Sequence, residues 1–170
     1  MKIDDLINKK VVEAKIVEAL NYRGNLPSLA DNWRFNFKKN SKAKNVRTFV
    51  LVCEHSEDVI EGCLIFEMRD KTEPYMAYLE IAPHNKGEDK RYDKVAGCLI
   101  AFASRLSFIH GEDFHKGWLA FDVLEETTED EEKLMALYSK KYNTMRLEGT
   151  TLMIISPENG EKLIEFYLNS

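Results

Sequence analysis

The sequence predicts a mixed α/β domain of the α+β kind, with a mostly antiparallel central sheet, flanking helices and one βαβ unit. Three observations carry this expectation. Val46–Glu54, Val59–Met68 and Tyr75–Ala82 are β-rich runs joined by short polar links, which favours an antiparallel meander. Asp93–Ile109 then places Val95, Leu99, Phe102, Ala103 and Leu106 at three- and four-residue spacing, a helix with one buried stripe. That helix lies between two strands, Tyr75–Ala82 and Gly117–Leu124, so the pair is expected to run parallel through a crossover.

The remaining elements follow in chain order. Asp4 to about Asn21 is rich in Leu, Ile, Val, Ala, Glu and Lys without Gly or Pro, and summed propensity predicts a helix. Gly24, Pro27 and Ser28 break it. Trp33, Phe35 and Phe37 alternate with Arg34 and Asn36 as in a half-buried strand, and Asn40–Asn45 reads as a loop. Thr128, three residues before Glu131, predicts a capping box opening a helix with Leu134, Leu137, Tyr138 and Tyr142 on one face. Its acidic start and the Lys140-Lys141 end suit the helix dipole. Thr150–Ile155 is the last clear strand, and Ser156-Pro157 supplies an N-cap and a first-turn proline for a helix through Leu168. One domain over 1–170 is expected: an N-terminal helix and acceptor-side segment (1–45), a core (46–155) and a C-terminal helix (156–170).

Composition narrows the function. The 170 residues contain 24 Lys plus Arg against 29 Asp plus Glu, a net charge of −5, which argues against a generally basic nucleic-acid footprint, so no such partner is expected. One basic cluster, Lys38, Lys39, Lys42, Lys44 and Arg47, reads as a solvated loop. The longest apolar stretches fall far short of the ~20 residues of a membrane span, and no signal segment precedes the first acidic residues, so a cytoplasmic location is expected. Cys53, Cys63 and Cys98 form no CxxC or Cys/His cluster; they read as core packing, and no metal is expected. His55, His110 and His115 have no spacing that pairs them with an acid or nucleophile.

Chemistry belongs to the polar loop between the strand ending at Ala82 and the helix beginning near Asp93. A helix N-terminus after a strand offers unpaired N–H groups and a positive dipole end, Ala96-Gly97 allows close approach, and Lys86, Lys90, Arg91 and Lys94 add positive charge for a phosphate. Glu80 is the candidate base: alternation places Met76, Tyr78, Glu80 and Ala82 on one strand face, a carboxylate among apolar neighbours. His84, just beyond the strand, is the alternative.

Arg91-Tyr92-Asp93-Lys94-Val95-Ala96 resembles the Q/R-x-x-G-x-G/A acetyl-CoA pyrophosphate loop of the GCN5-related N-acetyltransferase superfamily. The element order from about Val46 to Ile155 is similar too. Glu80-Ile81-Ala82-Pro83-His84-Asn85, with Lys90-x-Tyr92 and Val95-Ala96-Gly97, looks like a bacterial subgroup of acetyltransferase-like proteins. The departure is Lys94 at the first glycine position, which puts a positive φ there in question.

The resemblance implies acetyl transfer from acetyl-CoA to an amine of unspecified identity. It further implies cofactor contacts at Ile81, Ala82, Arg91, Tyr92, Lys94, Val95, Ala96 and Gly97, with pantetheine pairing against the strand edge at Ile81 and Ala82. Tyr138, in Leu137-Tyr138-Ser139-Lys140, matches the family tyrosine that protonates or hydrogen-bonds the CoA sulfur. A homodimer is compatible with it. The alternative is a catalytically silent CoA-binding or protein-interaction module on the same fold.

Overall fold

Lys2–Asp5 (β1) and Lys10–Glu18 (β2) pair as an antiparallel hairpin, where composition predicts a helix. Burial alternates along β2, with Val12 and Ala14 inside and Val11 and Glu13 outside, and its second half pairs with Val46–Cys53 (β3). Pairing β-branched residues in a sheet outweighs the fractions of a kcal/mol that favour helix at Glu, Lys and Ala. The turn is built by Asp5, whose carboxylate accepts from Ile7 N, Asn8 N and Asn8 Nδ2 at 3.1, 3.0 and 2.8 Å.

The computed structural model describes residues 1–170. After a 3₁₀ turn at Ala19–Asn21 the chain crosses one sheet face irregularly, and the expected strand at 33–37 does not form. Trp33 and Phe37 are buried, and Phe35 and Phe37 pack on Tyr78 with ring centroids 5.2 and 6.4 Å apart, so the aromatic alternation records burial without a strand partner. Asn36 caps the single turn Phe37–Asn40 (α1) by accepting from Lys39 N.

The meander forms as expected from β3, Ser56–Arg69 (β4) and Glu73–Ile81 (β5). Its register slips once: Ile65 faces Tyr78 and the next residue, Phe66, faces Met76, leaving Ala77 as a bulge. Met76 therefore packs with the core beneath Val95–His110 (α2), whereas Tyr78 and Ala82 pack with Trp33 and Phe37 on the other face. The expected common face of Met76, Tyr78, Glu80 and Ala82 is broken by this one extra residue.

Tyr92–Asp93 (β6) pairs with β1, so the loop before α2 is stitched to the N-terminal hairpin. Leu119–Asp122 (β7) runs parallel to β5, as the βαβ unit predicts. Thr128–Tyr142 (α3) is capped one residue earlier than expected: Thr127 accepts from Asp130 N at 3.1 Å, while Glu131 turns back to accept from Glu125 N. Its inward residues are Met135 and Tyr142 with Leu134 and Tyr138 beside them; Leu137 points outward. Met145–Arg146 (β8) and Leu152–Ile155 (β9) follow, then Pro157–Leu168 (α4), capped by Ser156 with Pro157 in its first turn as the sequence predicts. The nine strands lie in the order β6-β1-β2-β3-β4-β5-β7-β9-β8, with all pairings antiparallel except β5 with β7. Cys53, Cys63 and Cys98 are free and buried, and no helix is long and apolar enough to cross a membrane.

Candidate active site

β5 and β7 share one register pair, Tyr75 with Ala120, and then separate. The gap between them is a cleft of about 80 Å³ lined by Met76–Leu79, Phe121–Glu125, Leu134 and Tyr138 of α3, and Arg34 with Phe35 at its mouth. Ala82 N donates to Glu61 O at 2.9 Å, so its N–H points to β4 and away from the cleft. Strand alternation then turns the peptide groups of Leu79 and Ile81 toward the open side. Of the two edge residues expected there, Ile81 keeps the placement and Ala82 loses it.

Glu80 is 6% exposed. Its Oε2 accepts from Arg34 N at 2.9 Å and Lys86 Nζ at 2.6 Å, and its Oε1 accepts from Phe35 N at 2.9 Å. The carboxylate anchors the 33–37 segment and is hydrogen-bonded, where the sequence predicts apolar neighbours. His84 is likewise engaged, its Nε2 2.5 Å from Glu61 Oε2.

Tyr138 lies between Phe121 and Tyr142, at centroid distances of 5.4 and 5.8 Å, and its hydroxyl makes no hydrogen bond within the chain. Burial raises its pKa, with Glu125 adding to the rise and Arg34 opposing it. The phenol therefore keeps its proton at neutral pH.

At the α2 N-terminus Lys94 has φ 72° and ψ −3°. The lysine thus adopts the left-handed conformation that the motif glycine would supply, at a cost of ~1–2 kcal/mol for an L-residue. Cys98 N donates to Lys94 O, and the N–H groups of Val95, Ala96 and Gly97 ahead of it have no acceptor in the chain. Asp93 Oδ1 accepts from Lys94 N at 2.9 Å and Lys90 Nζ at 3.0 Å; burial opposes these contacts, whose sum leaves its pKa lowered. Lys94 Nζ is 3.2 Å from Asp4, and Lys86 serves Glu80. Three of the four cations expected to meet phosphate are therefore paired internally, and Arg91, stacked on the buried Tyr92 ring at 5.0 Å, is the one without a carboxylate. Gly97 is not open either: a Cβ there would lie 2.2 Å from Tyr167 Cε1. It is a packing glycine between α2 and α4, with Val95 buried and Ala96 half-buried beside it.

Four contributors escaped the sequence reading. Glu61, 2% exposed, accepts from Asn85 Nδ2 at 2.9 Å, and Asn85 Oδ1 accepts from Tyr92 N at 3.0 Å, fastening the loop to β4. A lone carboxylate in the Ile60–Phe66 apolar run is the signal that could have flagged it. Arg34 and Glu125, at the cleft mouth, carried no local signal. In the basic cluster, Arg47 is tied to Glu18 and His110. No three His, Cys, Asp or Glu side chains converge as metal ligands.

The splayed parallel pair, the bulged strand and the helix entered through a left-handed residue define the GCN5-related N-acetyltransferase fold, which this chain has. No family model matches the sequence, and no curated protein does. Among solved structures it is similar to a chain of the KacTA–DNA complex, at 15% identity over 91% of this chain and 99% of that one, with a TM-score of 0.62. It is also similar to a mutant AtaT toxin bound to the C-terminus of the antitoxin AtaR and acetyl-CoA, at 16% identity over 89% and 98%, TM-score 0.59. AtaT complexed with acetyl-methionyl-tRNAfMet matches at 14% identity over 89% and 99%, TM-score 0.53. At such identities the likeness is one of fold.

Proposed function

We propose that the protein transfers an acetyl group from acetyl-CoA to an amine. One observation carries the reading: the unpaired β5 edge at Leu79 and Ile81 opens beside the Tyr138 hydroxyl and leads toward a helix N-terminus with three unpartnered N–H groups. These N–H groups, with Arg91, suit the pyrophosphate, and the β5 edge suits the amides of the pantetheine arm. Acetyl-CoA brings the activated acyl group. Strand N–H groups polarise its carbonyl, and the neutral amine nitrogen bonds to that carbon as the C–S bond breaks. Tyr138 gives its proton to the departing sulfur and regains one from the amine through water. With Glu80 and His84 both engaged, the acceptor ammonium loses its first proton to solvent at the cleft mouth.

Net charge is weak ground for excluding a nucleic-acid carrier of the amine, since AtaT, of the same fold, is complexed with an acetylated aminoacyl-tRNA. A second reading, the silent module, is favoured by the small cleft, the internally paired cations and Tyr167 seated on Gly97. Calorimetry with CoA and acetyl-CoA, together with a thiol-release assay over amines, polyamines, amino acids, peptides and aminoacyl-tRNA, separates them. Transfer that falls in Tyr138→Phe with acetyl-CoA affinity retained supports the enzyme; binding without transfer supports the module; neither removes both.

A further inference from the structure

A strap spans the mouth of the cleft. Arg34 Nη1 donates to Glu125 Oε1 at 2.7 Å and Nη2 to Leu124 O at 2.6 Å, so a side chain anchored through its backbone to β5 reaches across to the segment after β7. Its guanidinium lies 4.9 Å from the Phe35 ring centroid. The side chains are 42% and 22% exposed, so the pair is wet enough to exchange partners and is weakly held. The cleft behind it, at about 80 Å³, is well below the ~300–1,000 Å³ usual for ligand pockets. An acceptor that enters past Arg34 exchanges the partners of the strap.

We propose that the acceptor is a free α-amino acid, its carboxylate received by Arg34 and its ammonium by Glu125; this rests on the acetyl-transfer reading. An α-amino acid carries both charges one carbon apart, so it exchanges the strap without leaving either residue unpaired. A simple amine or polyamine meets Glu125 alone and leaves Arg34 to Leu124 O and solvent, and an anion meets Arg34 alone. The planar guanidinium favours a bidentate carboxylate. Placed on Glu125, the amine sits beside Tyr138, whose hydroxyl senses both charges and lines the same cleft.

The test compares glycine, L-methionine and L-glutamate with their α-carboxamides, methyl esters and decarboxylated amines, using thiol release from acetyl-CoA. The expected result is a kcat/KM at least tenfold higher for the free acids. Arg34→Gln should raise KM for them at least tenfold, more than it lowers kcat, and erase the preference; Arg34→Lys should restore part of it. Amides or esters acetylated as well as the acids, or a preference unchanged in Arg34→Gln, overturns the proposal while acetyl transfer stands. If no acceptor is acetylated, the acetyl-transfer reading fails by itself, and ligand-observed NMR of the same amino acids decides here. Binding lost in Arg34→Gln supports the site, and absence of binding to the native protein refutes it.

Discussion

Replacing Gly97 by alanine separates a phosphate-access glycine from a packing one. The new Cβ would stand 2.2, 2.3 and 2.8 Å from Cε1, Cζ and Cδ1 of Tyr167, against the ~3.5–4.0 Å of an ordinary carbon contact. Tyr167 cannot simply swing aside: it is buried, with Phe166 and Tyr142 rings at 4.8 and 6.2 Å. Overpacking of this kind costs ~1–3 kcal/mol. Alanine's better helix propensity returns less than ~1 kcal/mol near a helix start. The net expectation is a loss of about 1–2 kcal/mol, or a Tm lower by roughly 2–8 °C for a chain of this size. Thermal melts followed by circular dichroism measure it, with Tyr167→Ala as the second arm of a double-mutant cycle. In that background Gly97→Ala should be neutral or stabilising. A Tm that rises in Gly97→Ala alone, or an equal loss in both backgrounds, refutes the packing account.

Three further outcomes follow from the structure. Glu80→Ala leaves the Arg34 and Phe35 N–H groups without their acceptor and should cost ~2–6 kcal/mol at ~1–3 kcal/mol per stranded group; an unchanged Tm with lost turnover would return Glu80 to the role of base. Lys94→Gly removes the left-handed strain at φ 72°, worth ~1–2 kcal/mol, against ~0.4–1 kcal/mol of added unfolded-state entropy. The difference, ~0–1.6 kcal/mol, should raise its Tm by up to about 6 °C, and a fall counts against the strain. His110 is held neutral by burial and by Arg47, whose Nη1 lies 2.9 Å from its Nε2, so its pKa is below the ordinary 6.5. The unfolded chain therefore binds its proton first, and stability should fall as pH drops below about 6.5 toward the folded-state pKa; melts from pH 8 to 5 should show this slope reduced in His110→Gln, and an identical slope removes the claim.

The sequence by itself determined what local chemistry can determine. β-rich runs between short polar links marked β3, β4 and β5, period 3.6 marked α2, a serine-proline pair opened α4, and a strand-helix-strand order made β5 and β7 parallel. The loop at Arg91–Ala96 was legible because its residues are adjacent in the chain. Where summed propensity was the sole guide, at 4–21, or an alternation over five residues, at 33–37, the reading failed, because pairing with β3 and the sheet face decided those segments.

Only the tertiary structure decided what the site residues do. Glu80 reads as a base from its strand, yet its partners Arg34 and Phe35 lie 46 and 45 residues away and make it an anchor. Gly97 reads as open until Tyr167, near the far end of the chain, is laid on it. Arg34 and Glu125, 91 residues apart, become a strap only when β5 and β7 diverge between them. Periodicity and caps act over a few residues and leave a trace in composition. Desolvation, ion pairing and close packing act between whatever surfaces the fold brings together, and no short stretch of sequence encodes which those are.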